Sequence, residues 1–524
     1  MKNQSWGILA GLVLIALFWF MLDPRPFLGP KESPDPRKFT DEASPAGEAP
    51  KPVRREGAPQ AIGQKDANPV DALFETGSGK EVPGEKLVRF SSADGYRKFL
   101  AMAPPGTVLG QIDALNSARV KTGSWLGNAL AQTGGTASAN FYVRVPEVPL
   151  EVREKGDSWY RAVGKKAMDL IGAEGVTDAW GRGVKVALMD TPVEGMEKTE
   201  GETAGHGTAM RSLIQGQSGA ARGAAPGAEL LAFPVLDQDG KGSSFGLAEA
   251  ILKATDQGVR IINMSLGSEG DSPVVREAVA YALARNVVLV AAAGNEAVNR
   301  VSYPAAYEGV MAVASVDADR NHLYFSNRGK SIDLAAPGFA VVAAWPGGKN
   351  VEVTGTSAST ALVTGAVAAL LSREPGLSGR QAAELMTKYA DATGLPGAAE
   401  EIGGGVVNLQ RVLDRNQRGL VDMAVGGVTL KEEGSLGRIL VGIQNRGTET
   451  VNSPSLEISA GDEKRKFYFG SLAPGGTATE SMTFDLTRAR QDGGVGAGAA
   501  VGVRGDQEGK NDLWSGYFRI SKEK

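Results

Sequence analysis

The chain has no cysteine and only two histidines among its 524 residues. It therefore holds no disulfide scaffold, thiolate metal site, CxxC redox pair or cysteine nucleophile. Two histidines exclude a multi-histidine metal centre, and any histidine base must be His206 or His322. A dominant charge is missing too: 56 Lys and Arg stand against 60 Asp and Glu, a net charge of −4. That balance leaves no basic footprint for nucleic acid, and none is expected as a partner. The length exceeds a single compact core and fits two or three domains of roughly 100–250 residues. Glycine, in contrast, is abundant at 70 residues, near twice the usual share of about 7%. Such a backbone turns tightly or approaches its neighbours closely at many points.

Trp6–Leu22 reads WGILAGLVLIALFWFML, seventeen residues without a charge. At about 1.5 Å per residue the run reaches roughly 25 Å, the short end of a membrane span. Trp6 and Trp19 suit interfacial anchoring. The run also fits the core of a secretory signal, but Asp23-Pro24-Arg25-Pro26 offers no small-residue cleavage site. The expectation is an uncleaved signal anchor over 1–22, with the bulk of the chain on the extracytoplasmic side (cell envelope, periplasm or exterior). Arg25, Lys31, Arg37 and Lys38 beyond the run leave the charge asymmetry undecided. Residues 23–80 follow as a linker; the stretch Asp23–Asp71 alone carries ten of the 26 prolines. Its composition cannot bury enough apolar surface to offset the entropy of ordering, so it reads as an extended tether.

From about Ser158 to Arg415, short apolar runs alternate with amphipathic stretches. Val184–Met189, Leu230–Val235, Arg260–Met264, Val287–Ala292 and Val310–Ala314 read as buried strands. Gly207–Gln215, Phe245–Gln257 and Val274–Arg285 read as helices. The alternation predicts an α/β fold, a mostly parallel sheet with helices on both faces. Functional groups of such folds gather at the carboxyl ends of strands. There the sequence has Asp190 after VKVALM, His206-Gly207-Thr208 opening a helix, Asn295 after VVLVAAAG, and Ser357 opening Ala358–Ser372. A serine hydroxyl is a poor nucleophile until a histidine takes its proton and a carboxylate orients the imidazole. A helix-start N–H and a side-chain amide then suit the anionic intermediate. Singly, each residue has an ordinary role as a cap or turn residue; the four in this order make a constellation.

These segments resemble the subtilisin-like serine proteases. The likeness runs from GVKVALMDT at Gly183 through GAAPGAELLAFPVL, VRIINMSLG, VAAAGNEA, SYPA, FSNRG and AAPG to GTSASTALVTG. It implies that Asp190 orients, His206 acts as base then acid, Ser357 attacks, and Asn295 with the Ser357 N–H holds the oxyanion. It further implies a peptide bound between Gly242-Ser243-Ser244 and Ser265-Leu266-Gly267, with Ala292-Ala293-Gly294 as the second wall of the main specificity pocket. Both walls are small enough to admit a bulky apolar side chain. The sequence departs from the family at Pro192, at HGTAMRS, and at Ala361 and Leu362, where the family has proline and histidine. The short Asp190-to-His206 connection gives a calcium site no support, so no cofactor is expected. His322, in DADRNHLYFSN, has no motif around it and reads as surface or structural.

Residues 81–150 weakly resemble the small α+β propeptide of the same family, and 151–415 form the expected catalytic domain. Self-cleavage is expected near Pro146–Lys155. Residues 416–524 lose the helical signal; seven short strand-type runs with NRGT, APGG and QDGG turns predict a β-sandwich. That part resembles bacterial cell-adhesion-related immunoglobulin-like modules, with a protein partner as its possible ligand. The reading is a membrane-tethered serine endopeptidase acting on peptide or protein substrates. Two alternatives remain: a catalytically degenerate binding scaffold of the same fold, and an envelope adhesion protein.

Overall fold

The computed structural model describes residues 80–196, 205–216 and 222–520. No helix among the described residues is long and apolar enough to cross a membrane. The anchor expected at 1–22 and the linker up to residue 79 lie outside them.

The first element group is β1 (Glu81–Arg89), α1 (Ala93–Met102), β2 (Val108–Ile112), β3 (Ser117–Lys121), α2 (Trp125–Thr133) and β4 (Thr136–Arg144). The strands form an antiparallel sheet in the order β2-β3-β1-β4. Ser92 starts α1 by accepting from the Gly95 N–H, which satisfies one of the orphan donors of a helix end. Phe90, Tyr96, Phe99 and Leu126 bring both helices onto one face of the sheet. The sequence did not announce α2, although Gly134 ends it in a left-handed conformation, a common helix stop. A helix α3 (Leu150–Trp159) follows the sheet.

The central body contains β5 (Lys185–Asp190), α4 (His206–Gln215), β6 (Glu229–Pro234), β7 (Lys241–Ser243), α5 (Ser244–Asp256), β8 (Ile261–Met264), α6 (Pro273–Leu283), β9 (Val288–Ala292), β10 (Val310–Val316) and β11 (Leu334–Pro337). It is completed by the hairpin β12 (Val341–Trp345) and β13 (Lys349–Val353), and by α7 (Thr356–Arg373), α8 (Gly379–Lys388) and α9 (Leu409–Asp414). Six strands form a parallel sheet in the order β11-β10-β9-β8-β5-β6. Successive side chains of a strand point to opposite faces. Val186, Leu188, Val288 and Val290 accordingly pack with α4 and α7 on one side. Ala187, Met189, Leu289 and Ala291 pack with α5 and α6 on the other. Both faces are covered, which is why these strands read as unbroken apolar runs. The winding reverses at β5, between β6 and β8, and opens a crevice at the carboxyl ends of the strands.

Beyond the body lie β14 (Met423–Glu433), β15 (Leu436–Asn445), β16 (Val451–Asn452), β17 (Ser455–Ala460), β18 (Glu463–Tyr468), β19 (Ser471–Leu472), β20 (Thr477–Asp485), α10 (Thr487–Asp492), β21 (Gly494–Gly502) and β22 (Leu513–Arg519). A sheet β14-β15-β20 and a sheet β18-β17-β21-β22 share a core of Ile439, Val441, Met482, Leu456, Ile458 and Val501. The expectation that helices cease after Arg415 is corrected by α10. Its six residues are too few to show a helical period, and Gly493 closes it in a left-handed conformation.

Candidate active site

Asp190 closes β5 with its side chain fully buried. Its Oδ1 accepts from the Thr191 N–H at 2.7 Å and lies 2.6 Å from His206 Nδ1, while Oδ2 is buried without a hydrogen-bond partner. His206 can stand this close because it is the first residue of α4 and the next residue is glycine. A Cβ at Gly207 would come within 2.3 Å of the Thr191 carbonyl oxygen. The Gly207 N–H donates to Thr191 Oγ1 at 3.0 Å and fixes the helix start against the strand end.

Ser357 sits in the first turn of α7. Its Oγ donates to the Ser265 carbonyl at 3.2 Å, and Ser265 Oγ returns a bond to the Ser357 carbonyl at 3.0 Å. Beneath them, Asn263 Nδ2 donates to Ser265 Oγ at 3.0 Å and Thr364 Oγ1 donates to Asn263 Oδ1 at 2.8 Å. The end of β8 is thus tied to the start of α7. Being in the first turn, the Ser357 N–H has no intrahelical acceptor.

Asn295, just past β9, is nearly fully buried. Its Oδ1 accepts from both the N–H and the hydroxyl of Thr356, at 3.1 and 2.9 Å, so the amide nitrogen must face the cleft. There Asn295 Nδ2 donates to the carbonyl of Pro146 at 3.0 Å. Gly355 leaves the room, since a Cβ on it would meet that nitrogen at 2.7 Å.

The carbonyl of Pro146 ends a strand laid into the cleft. β4 pairs with β7 through Tyr142–Ser243, Val143–Gly242 and Arg144–Lys241. Arg144 and Gly267 exchange two backbone hydrogen bonds of 2.8 Å, and the Val145 N–H donates to the Gly240 carbonyl at 3.1 Å. The segment is held on both edges, the arrangement of an added strand.

The structure therefore brings Asp190, His206, Asn295 and Ser357 to one crevice. Gly242, Ser243 and Gly267 flank the added strand. Ser244 instead opens α5, where its hydroxyl accepts from the Phe141 N–H at 3.0 Å. Leu266 turns its side chain into the core, and the Ser265 carbonyl serves Ser357. Ala292, Ala293 and Gly294 are buried, and the last two have their carbonyls bonded internally: that of Ala293 accepts from Ser302 and Asn327, that of Gly294 from Asn327. Sequence reasoning missed Thr356 and Asn140, and it had Pro146 only as the first residue of the expected cleavage stretch. Asn140 Oδ1 accepts from the Ser244 hydroxyl and the Phe245 N–H, so the first group caps α5. Only contacts between distant parts of the chain mark these residues.

His322 stands apart from this site. Both its ring nitrogens are buried without hydrogen-bond partners, and burial lowers its pKa to about 3, so the ring is neutral and structural.

An imidazole hydrogen-bonded to a buried carboxylate can activate a serine hydroxyl, and a helix-start N–H with a fixed amide donor can hold an oxyanion. Among known proteins, the family model described as "Subtilase family" matches residues 181–405. Subtilisin BL of Lederbergia lenta is 34% identical over 246 residues, covering 44% of this chain and 90% of that protein. Subtilisin Savinase of the same organism gives the same identity and coverage. The thermostable alkaline protease of Halalkalibacterium halodurans is 35% identical over 248 residues, 44% of this chain and 68% of that protein. Among solved structures, the prenylagaramide maturation protease PagA is 26% identical over 46% of this chain and 98% of its own, with a TM-score of 0.42. With nine-tenths of a subtilisin matched at this identity, and over the segments that surround the crevice, the chain belongs to the subtilase family and is a serine protease.

Proposed function

We propose that the chain is a membrane-tethered, extracytoplasmic serine endopeptidase whose residues 80–146 block its own cleft. The observation that carries this reading is the Pro146 carbonyl on Asn295 Nδ2, at the end of a strand bonded on both edges. Ser357 Oγ rotates from the Ser265 carbonyl toward His206 and attacks the carbonyl carbon of Pro146. His206 Nε2 takes the hydroxyl proton, and Asp190 holds Nδ1–H and stabilises the imidazolium. The oxyanion is met by Asn295 Nδ2 and the Ser357 N–H at the positive end of α7. Collapse breaks the Pro146–Glu147 bond, and His206 returns its proton to the amine of Glu147. Water then frees the acyl-enzyme by the same base. A protein substrate follows the lane of Tyr142–Pro146 once the block has left. The departures Ala361 and Leu362 lie on α7 itself, fully buried in the core of the central body, and neither supplies or removes a group of the proposed chemistry.

The apolar run Trp6–Leu22 is the proposed tether, and the cut separates it from the catalytic body. The two sheets of 423–519 carry no second constellation and act as a supporting module. The test is mass-spectrometric sequencing of the species that a fluorophosphonate labels in membranes of expressing cells. An amino terminus at Glu147 in a form no longer held by the membrane is expected. A labelled species that keeps residues 80–146 attached would overturn the block-and-cut reading. Asn295→Ala, which removes one of two donors, should lower kcat about 10²-fold, near the lower end of the losses known for one oxyanion donor in subtilisin. A KM change with kcat intact would remove Asn295 from that role.

A further inference from the structure

The cavity beside Pro146 is wider than the proline needs. About 580 Å³ opens between residues 144–153 and the wall formed by Gly267–Glu269, Asn295, Glu296 and Ser302. The small-residue walls noted above suit an apolar side chain, but three carboxylates also line this space, those of Glu147, Glu269 and Glu296. Glu296 folds back beneath the wall, where its Oε2 accepts from Asn327 Nδ2 at 2.6 Å and from Ser302 Oγ at 3.4 Å. A Cβ on Gly294 would lie 2.4 Å from that oxygen. Burial pushes the Glu296 carboxyl above its usual range, the Asn327 bond opposes the rise, and the charge of Glu269 adds to it. Its hydrogen-bonding side-chain partners among the described residues are an amide and a hydroxyl, not a cation. Glu269, at the rim, pairs with Lys80 Nζ at 2.6 Å.

The cations at this cavity belong largely to the part of the chain that blocks the cleft. Lys80 and Arg144 both line it, and both leave when residues 80–146 depart. Glu269 and Glu296 stay with the catalytic body and lose these two cations, while Arg153 of the cavity lining stays with them. Carboxylates in a partly buried site favour a compensating cation, since their mutual repulsion and desolvation otherwise go unanswered.

We propose that this cavity is the specificity pocket for a long cationic side chain. A substrate with lysine or arginine in the place of Pro146 sends its ammonium or guanidinium group between Glu296 and Glu269. Lys80 now occupies the rim carboxylate in its stead. The inference rests on Pro146 marking the residue whose carbonyl is attacked, as proposed above.

The test uses the self-processed enzyme obtained from the full chain. Peptides Val-Ala-Val-X with a chromogenic amide compare arginine, lysine, leucine and phenylalanine at X, beside fluorophosphonate labelling. Arginine and lysine should exceed leucine and phenylalanine in kcat/KM by about 10-fold or more, the scale of one charged pair at a partly buried site. Glu269→Gln and Glu296→Gln should each shrink the arginine-to-leucine ratio several-fold, and together abolish it, in protein that still labels. A labelled wild type that prefers leucine or phenylalanine overturns the proposal, as does a preference for arginine that survives both substitutions. Failure of the wild type to label would instead overturn the protease reading on which it stands.

Discussion

Ser357→Ala yields a folded chain that stays full-length, hydrolyses no peptide and takes up no fluorophosphonate. The expected fall in kcat is about 10⁶-fold, the size of loss that removing the serine or histidine of such a triad causes in subtilisin. The change removes one oxygen whose hydrogen-bond partner is the Ser265 carbonyl, so stability moves by only about 1 kcal/mol. The bonds that fix the surroundings, Ser265 Oγ to the Ser357 carbonyl and Thr356 to Asn295, use atoms that alanine keeps or neighbours supply. His206→Ala should lose as much turnover but also fold less well, because it leaves both Asp190 oxygens buried with only the Thr191 N–H between them. Chemistry and folding therefore separate at Ser357 and not at His206. The double variant should be no slower than either single one, as for groups that act as a unit. Immunoblots show whether the chain remains whole, and a peptide assay shows whether turnover is gone. Residual hydrolysis above about 1% of wild type, or a cut chain in cells that lack other proteases for it, would remove Ser357 as nucleophile.

The central sheet was legible because its strands are buried on both faces, which leaves unbroken apolar runs such as Val288–Ala292. The four site residues were legible because each ends a strand or opens a helix within a recognisable segment. What escaped was carried by contacts without local pattern. The hairpin of β12 and β13 turns on Pro346-Gly347-Gly348 with both glycines at positive φ, but its strands are short and mixed in polarity. The occupation of the cleft depends on Arg144 meeting Gly267, far along the chain. Glu296 follows Asn295 directly, yet nothing in its neighbours tells that Asn327 draws its carboxylate under the pocket wall. The turn NRGT reads in the sequence only as a separator between strand-type runs. Its Arg446 is instead buried, in a charge cluster built from four separate stretches of sequence.

That cluster carries the second large effect. Asp391 is fully buried, with Arg320 at 2.6 Å, Arg411 at 3.1 Å and Arg446 at 3.4 Å. Asn408 Nδ2 donates to it at 3.1 Å, and Arg411 also reaches the Ala390 and Arg446 carbonyls. Arg446 belongs to the turn after β15, so the cluster joins the central body to the last two sheets. The same junction brings backbones into contact: a Cβ on Gly442 would stand 2.0 Å from the Thr393 carbonyl oxygen. The last region is therefore built onto the catalytic body rather than strung after it. Burial alone would raise the pKa of Asp391, but Arg446, Arg320 and Arg411 outweigh it and hold the carboxyl far below the usual range. A carboxyl lowered in this way stabilises the fold above its unfolded pKa of about 3.9. The contribution is lost as pH falls from there toward the folded value, so it is complete at neutral pH. Asp391→Ala removes the anion that all three guanidinium groups share, two of them buried, and leaves Arg446 only the more distant charge of Asp422. The expected cost is about 3–5 kcal/mol, or a fall of roughly 10 °C in the melting transition for a body of this size. The loss should be largest near neutral pH and shrink below about pH 4, where wild type approaches the variant. Calorimetry at pH 7 and pH 3.5 checks both the size and the sign. A variant that melts within about 2 °C of wild type at pH 7 would mean that the three arginines find other partners without Asp391, and that the junction does not depend on this charge.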